Sequence, residues 1–586
     1  MKWFKYTVLF ALFSLLLGVC FFFILIEKED ISQYIYDTTK KEITFDNYGL
    51  SFYPTLALTL SNVKYQDNKR YDIQVKKLLI SFFVDGSYAF ENFKIKALYL
   101  VEPVITVYPN KEVSSDNGIL DISQIYVKNA TISYESYQIQ DLNLNASLTN
   151  SVLNIKNLNS KKWKDINEID IAGTIDFKDQ NPYYNISLIF KKSNLKMIAK
   201  NFNLKLPEFK DKNALEDVSF FTKIKGDISK LYIKETTINF DDTTISVEAI
   251  IKNLNLSTMV SVININQIDL NQYINFGEDS NTSKTTNTTN IYDSLKILTT
   301  FNHLSSVKIK KLQLKDFTFD DIFFKLKIKE SLINIDPITF KLYEGELKGA
   351  YTINLKDKQP KFKAKQQIKN LEVSKLFNSD EKMVEGKANL LANITFKGNN
   401  KNQIIKSATG VKMLYGKDLI FNKYDIDKIL SQYEKTQKVD LIDIGAMLVA
   451  GPFAGLITQG VKFAILKDKV DKTGSTQIKE FSSIWKIKDS KAIAKDVAVR
   501  TQHNLIALQG EINLQTKEFK DIKIAILDKK GCAKYIQTLS GNLNTNDINT
   551  KEHPVETFLA PIASIVEDAN KLFGGCKKFY KGRVKW

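Results

Sequence analysis

The chain has 586 residues, of which 25% are charged, and it carries a formal net charge of +17 at pH 7. This length exceeds what one compact core can hold, so we expect several domains or one long repetitive structure. Only three of the 83 basic residues are arginine, the residue that nucleic-acid-binding surfaces use for bidentate contacts, so the positive charge does not indicate a nucleic-acid partner.

The first predicted element is an uncharged run that begins at Tyr6 and ends at Ile26. As a helix it would span roughly 31 Å, about the thickness of the hydrocarbon core of a bilayer. Lys2 and Lys5 precede the run, and mostly acidic residues follow it at 27–30. By the positive-inside rule, the run predicts a single-pass membrane anchor with the N-terminus in the cytoplasm and the rest of the chain outside.

Two alternatives to an uncleaved anchor stay open. A cleaved signal peptide would end in a small-x-small site, and no such site follows the run. Lipidation at Cys20 would require a small residue before the cysteine, and Val19 is a poor match. We therefore favour the uncleaved anchor.

From about residue 42 to 415, apolar and polar residues alternate with period two. The clearest apolar sets are Phe324, Leu326 and Ile328, which alternate with lysines, and Tyr351, Ile353 and Leu355, which alternate with polar residues. Such alternation predicts strands with one apolar and one wet face, and the scarcity of helical patterns between them favours an antiparallel sheet of many strands.

Three helices are predicted, at 291–304, 425–438 and 554–572, the first behind a polar linker that starts at 277. These helices are too few to cover the apolar face of a large sheet, so that face must fold over, pack on a second sheet or line a cavity for an apolar ligand. We predict a mainly β fold: an elongated, curved antiparallel β-sheet that forms a groove, with an N-terminal transmembrane helix and a few short helices towards the C-terminal part. The six apolar residues named above are the candidates for lining the groove.

The stretch 441–466 is strongly apolar, yet it contains four glycines and Pro452, which interrupt a continuous helix. Two short helices packed on the groove or its rim are predicted here. A segment that dips into the membrane is the alternative.

Cys532 and Cys576 are the only cysteines outside the apolar run. An oxidising compartment outside the cytoplasm would permit a disulfide between them, closing a loop of about 44 residues and adding roughly 4 kcal/mol of stability. Two buried free thiols are the alternative.

Several segments resemble, in order along the chain, those of the AsmA family. They lie at 43–45 and 51–63, then 75–84 and 93–107, then 385–388, 395–398 and 407–410, and finally 496–501, 506–514, 530–533 and 574–576. The resemblance implies an inner-membrane-anchored periplasmic protein of a double-membraned bacterium. Related TamB-like proteins are understood as β-sheet grooves that carry phospholipids between the two membranes, and AsmA itself is linked to outer-membrane protein assembly.

The predicted organisation has four parts. Residues 1–30 form the cytoplasmic tip and anchor, and 31–276 an N-terminal AsmA-like groove region. Residues 277–304 form the polar linker and helix, and 305–586 a C-terminal AsmA-like groove region that contains the helical insertion 425–466 and the helix 554–572.

The predicted function is to bind lipid acyl chains in the β-groove and to support phospholipid transfer and outer-membrane biogenesis. Its predicted partners are phospholipid, the cytoplasmic membrane, and an outer-membrane or periplasmic protein. The alternative is a scaffold that assists outer-membrane protein insertion, binding strands at a sheet edge without carrying lipid. The chain has three histidines, none at metal-ligand spacing, and neither a phosphate-binding loop nor a nucleophile elbow, so we expect no enzymatic activity, metal or cofactor.

Overall fold

The computed structural model divides the chain into two compact units. The N-terminal unit comprises Met1–Asn266 and Asn271–Asn275, and the C-terminal unit comprises Gln267–Leu270 and Phe276–Trp586. Within these limits the structure describes residues 27–53, 55–67, 71–82, 95–108, 121–134, 137–160, 168–179, 181–201, 206, 209–253, 258–273, 290–300, 302–376, 384–422, 425–428, 430–431, 474–542, 548–553 and 578–586.

The N-terminal unit is built mainly of strands. Its described elements are α1 (Lys28–Thr39), β1 (Ile43–Thr44), β2 (Asn47–Ser51), β3 (Ala57–Asp67), β4 (Tyr71–Phe82), β5 (Ile95–Val107), β6 (Ile122–Tyr134), β7 (Tyr137–Thr149), β8 (Val152–Ser160), β9 (Ile169–Asp176), β10 (Tyr183–Ser193), α2 (Leu195–Asn201), β11 (Val218–Asp227), β12 (Lys230–Phe240), β13 (Thr243–Lys252) and β14 (Thr258–Asp269).

From β3 to β14 each strand pairs with the next strand in the chain, and both β1 and β2 pair with β3. The pairings are antiparallel with one exception, since β5 and β6 run parallel from Ala97↔Gln124 to Val107↔Tyr134. The predicted antiparallel sheet is therefore right for the other pairs and wrong for this one. A parallel pair needs a crossover of a dozen or more residues, and the connection 108–121 is long enough to supply it.

Helix α1 is the first described element of the N-terminal unit, and it lies where the sequence predicted the start of a β region. Asp30 accepts a hydrogen bond from the backbone N–H of Glu27 (3.0 Å), which satisfies a donor at the start of the helix. Ile31 and Ile35 lie one turn apart and pack into a cluster with Phe45 and Leu60. This two-residue apolar stripe is too short to stand out in the sequence.

The C-terminal unit is also mainly β. Its described elements are α3 (Ile291–Lys296) with a 3₁₀ turn (Ile297–Thr299), β15 (Asn302–Leu314), β16 (Phe317–Lys329), β17 (Leu332–Leu342), β18 (Gly345–Asn354), β19 (Lys361–Glu372), a 3₁₀ turn (Val373–Leu376), β20 (Val384–Glu385), β21 (Lys387–Lys397), α4 (Lys401–Ser407), β22 (Thr409–Phe421), β23 (Thr476–Lys488), β24 (Lys491–Arg500), β25 (Leu505–Asn513), β26 (Glu518–Leu527), β27 (Ala533–Asn542) and β28 (Ile548–His553).

Antiparallel pairing runs through this unit from β15 to β28, with β21 joining β19 to β22 and the short β20 pairing with β22. The predicted helix at 291–304 is shorter than expected, because the alternation that starts at Asn302 belongs to β15. Residues 426–428 and 430–431 are helical, as expected near 425–438. The rest of that helix, the stretch 441–466 and the helix 554–572 lie outside the described residues.

Within the described part of the chain, no helix combines the length and the apolarity needed to cross a bilayer. The predicted anchor from Tyr6 to Ile26 lies outside the described residues, and it stays a prediction.

Candidate functional site

One face of the sheet in the C-terminal unit carries a continuous row of apolar side chains across five strands. Strand register places its members opposite one another in the order Leu326, Ile335, Tyr351, Ala364 and Ile394. All five are half-buried. We call this set the apolar row.

A second row of the same face lies beside it, in the order Ile328, Ile333, Ile353, Phe362 and Phe396. The rings of Phe362 and Phe396 stack with their centroids 4.9 Å apart. Because the two rows are separated by two residues along each strand, their side chains point to the same side of the sheet.

The opposite face at this place is polar. Its row, offset by one residue from the apolar row, consists of Lys327, Asn334, Thr352, Lys363 and Thr395. Thr352 donates a hydrogen bond to the side-chain oxygen of Asn334 (3.1 Å). The sheet therefore separates an apolar side from a water-facing side over these five strands, as the sequence alternation predicted.

The six predicted groove residues share the apolar face, but they differ in burial. Leu326, Tyr351 and Ile353 belong to the two rows, and Phe324 lies opposite Val307 and Ile338. Those four are half-buried, so they remain partly accessible on the face.

Ile328 and Leu355 are in a different position, since only 5% and 2% of their surfaces are exposed. They form a buried cluster with Ile333, against which Tyr292 and Leu295 of α3 pack. These two candidates are core residues beneath a helix, so they stabilise the end of the face instead of being open to a ligand. Alternation in the sequence predicts on which face of the sheet a residue lies, but it does not predict whether another element packs over that residue.

Three accessible members of the apolar row were not among the predicted groove residues. Ile335 precedes Asp336 and Pro337, which interrupt the alternation, and Ile394 lies in a strand without regularly spaced lysines. Ala364 alternates with Lys363 and Lys365 and could have been included on that signal.

Further along the strands, the same face is filled. Leu347, Ile368, Leu390 and Leu414 lie opposite one another, and each is at most 9% exposed. They belong to a large core cluster that extends to Trp485 and onwards to β27. The apolar face of this unit thus has a packed part, which holds the fold together, and a half-buried part at the apolar row.

Polar atoms on the apolar face have partners or are strongly desolvated. The hydroxyl of Tyr351 donates to the side-chain oxygen of Gln366 (2.7 Å), and burial raises the pKa of Tyr351. Lys412 lies opposite Ala392 on one side and Trp485 on the other, so it points to the apolar face. Burial lowers the pKa of Lys412 to about 8.

The pKa of Lys412 predicts a pH dependence of stability. In the unfolded chain a lysine ionises near pH 10.4, so between pH 8 and that value the unfolded state binds more protons than the folded state, and stability rises with pH. The rise amounts to about 3 kcal/mol over this interval. Lys412→Met should remove it, and should be more stable than the wild type at pH 7 by a similar amount, measured by chemical denaturation at several pH values. The exposed Lys486→Met should keep the wild-type slope; an unchanged slope in Lys412→Met would contradict the prediction.

Cys532 is disulfide-bonded in the structure. Its predicted partner Cys576 lies outside the described residues, so the pairing stays a prediction. The backbone N–H of Phe579 donates to the carbonyl of Gly531 (2.9 Å), which brings the chain three residues after position 576 beside Cys532.

We expect a covalent link between positions 532 and 576 in the native protein. Peptide mapping without reduction should recover the two cysteines in one linked fragment, and Cys532→Ser should lower stability by roughly 4 kcal/mol because the loop is no longer closed. The double variant Cys532→Ser with Cys576→Ser should be no less stable than the single one. Alkylation of both thiols in the unreduced protein would exclude the link.

These observations define a mainly β protein in which an antiparallel sheet separates a continuous apolar face from a polar one. The chain belongs to the AsmA family, whose family profile matches residues 194–489. The matched range contains the apolar row and Lys412. Comparison with curated proteins found no match, and comparison with solved structures found none.

Proposed function

We propose that this chain is an inner-membrane-anchored protein whose body, in the periplasm, holds lipid acyl chains along the apolar row and supports phospholipid transfer and outer-membrane biogenesis. The observation that carries the proposal is the half-buried apolar row backed by a polar row. Membership of the AsmA family supports it, as does the apolar run from Tyr6 to Ile26 with its lysine flank.

The dimensions of the row suit an acyl chain. Five neighbouring strands at about 4.8 Å spacing give a row of roughly 19 Å, comparable with an extended fatty acyl chain. Each CH₂ removed from water contributes about 0.8 kcal/mol, so a tail lying along the row is stabilised over its whole length. The ionic headgroup stays in water, and the row itself does no chemistry on the lipid.

Lipid exchange between vesicles tests this function. Donor vesicles carry a fluorescent phospholipid with its quencher, and the purified full chain is added together with acceptor vesicles. We expect the protein to accelerate dequenching. A rate no greater than that of spontaneous exchange would contradict the proposal, and would leave the scaffold that binds protein strands as the better explanation.

A further inference from the structure

The hairpin between β2 and β3 presents an unusual tip. Phe52, Tyr53 and Leu56 are 55%, 87% and 44% exposed. The surrounding stretch 47–63 contains no charged residue, although a quarter of the chain is charged. An exposed apolar tip without charges is costly in water and indicates a surface that meets another apolar phase.

The path of the chain shows which way the tip points. Strands β1 and β2 pair with β3 in one register, Thr44↔Lys64 and Asn47↔Ser61, so the chain follows β3 in one direction from Ile43 to Ser51, with a bend at Asp46 between the two strands. Helix α1 lies against this path in the opposite direction. Its last residue is joined to β1 by three residues, while the Lys28 ammonium at its start lies 3.4 Å from the carbonyl oxygen of Asp46 and 5.3 Å from the ring centre of Phe45.

The tip therefore lies beyond the start of α1. After the bend at Asp46, the five residues of β2, Asn47–Ser51, carry the chain about 17 Å towards Phe52 at the usual rise per residue. This direction is the side from which the predicted anchor, ending at Ile26, enters the helix at its N-cap Glu27. The tip thus lies at the same end of α1 as Glu27, the residue that directly follows the predicted anchor.

We infer that Phe52, Tyr53 and Leu56 form a second membrane contact, inserting into the interface of the bilayer that the anchor spans. The inference rests on the proposed anchor and is independent of lipid transfer. A tyrosine side chain partitions well into the headgroup region, where its ring is partly dehydrated and its hydroxyl can still reach water, and the apolar side chains of Phe52 and Leu56 are removed from water there. A protein partner would be a poorer match, because the tip is formed by three residues of one turn and the stretch 47–63 supplies no charge to orient a partner.

Contact with the bilayer would hold the sheet in a fixed orientation. A single anchor leaves the body free to swivel about the chain at Glu27, whereas two contacts on one end set the strands at a defined angle to the membrane. The side chain of Ser51 donates to the carbonyl of Tyr53 (2.8 Å), so the tip is held in a turn before it meets lipid.

Depth-dependent quenching tests the inference on the full chain. An environment-sensitive fluorescent amino acid replaces Tyr53 in one protein and Tyr108 in another, and each is reconstituted into vesicles of brominated phospholipid. Tyr108 is a matched control, because it is also exposed (39%) and follows Val107, which pairs with Tyr71 at the opposite end of the strands. A third protein carries the probe at Phe13, within the predicted anchor.

We expect quenching at position 53 to exceed that at position 108 at least about twofold, since only probes that insert into the bilayer meet the brominated chains. The variant Phe52→Ser with Leu56→Ser should lower the quenching at position 53 and leave position 13 unchanged. Strong quenching at 13 with equal, weak quenching at 53 and 108 would overturn the inference while preserving the anchor. Weak quenching at position 13 would contradict both the predicted anchor and the second membrane contact.

Discussion

Ile335→Asp is expected to remove most of the bound acyl lipid from the protein. Ile335 lies in the middle of the apolar row, opposite Leu326 on one side and Tyr351 on the other. A carboxylate there would have to be desolvated by any acyl chain lying along the row, at a cost of about 2 kcal/mol or more. That cost corresponds to a roughly thirtyfold loss of affinity. Bound lipid is measured by mass spectrometry after extraction from the purified full chain.

The adjacent residue supplies the control. Asn334→Asp introduces the same charge one residue away, at nearly the same size, but its side chain belongs to the polar row. A carboxylate can still accept the hydrogen bond that Thr352 donates to this position. We expect unchanged lipid content in Asn334→Asp. Equal lipid loss in both variants would show that added charge, and not the apolar row, is responsible.

Trp485→Ala should cause the largest loss of stability in the C-terminal unit. The side chain of Trp485 is fully buried within the main core cluster, and its indole N–H donates to the hydroxyl of Ser483 (2.9 Å). Removing a buried tryptophan leaves a large cavity and typically lowers the free energy of unfolding by about 3 to 5 kcal/mol. Denaturant unfolding followed by circular dichroism would measure this change.

Lys486 provides the comparison for Trp485, since it is the next residue of β23 and is exposed on the other face. Lys486→Ala should change the free energy of unfolding by less than about 0.5 kcal/mol. A comparably small effect of Trp485→Ala would mean that the face around it is not a packed core.

The sequence predicted the two-faced strands well where lysines mark the wet side. Phe324, Leu326 and Ile328 are such a case, because intervening lysines leave one face for them, and the structure puts them there. Strand β22 is the opposite case. Val411, Met413 and Tyr415 suggest an apolar face by alternation, yet pairing of Leu414 with Leu390 turns Lys412 towards the apolar side. Register, which is set by partner strands, decided the orientation.

The sequence also did not predict which residues of the sheet are covered by a neighbouring helix. By alternation, Ile328 and Leu326 are equally good candidates for lining the groove. In the structure only Ile328 is buried, in the cluster against which α3 packs. The parallel pair β5–β6 was missed for a related reason, since strand order depends on the path of a connection and not on the residues of either strand. Helix α1 was not predicted, because its two apolar residues, Ile31 and Ile35, are too few to show the periodicity of a helix in the sequence.

The most direct test of acyl-chain binding is photo-crosslinking at two neighbouring positions of β17. A benzophenone amino acid is placed at Ile335 or at Asn334 in the full chain, and cells are irradiated before purification. Binding along the apolar row predicts a lipid adduct at position 335 and none at position 334. Protein adducts without lipid at 335, or equal lipid adducts at both positions, would contradict it.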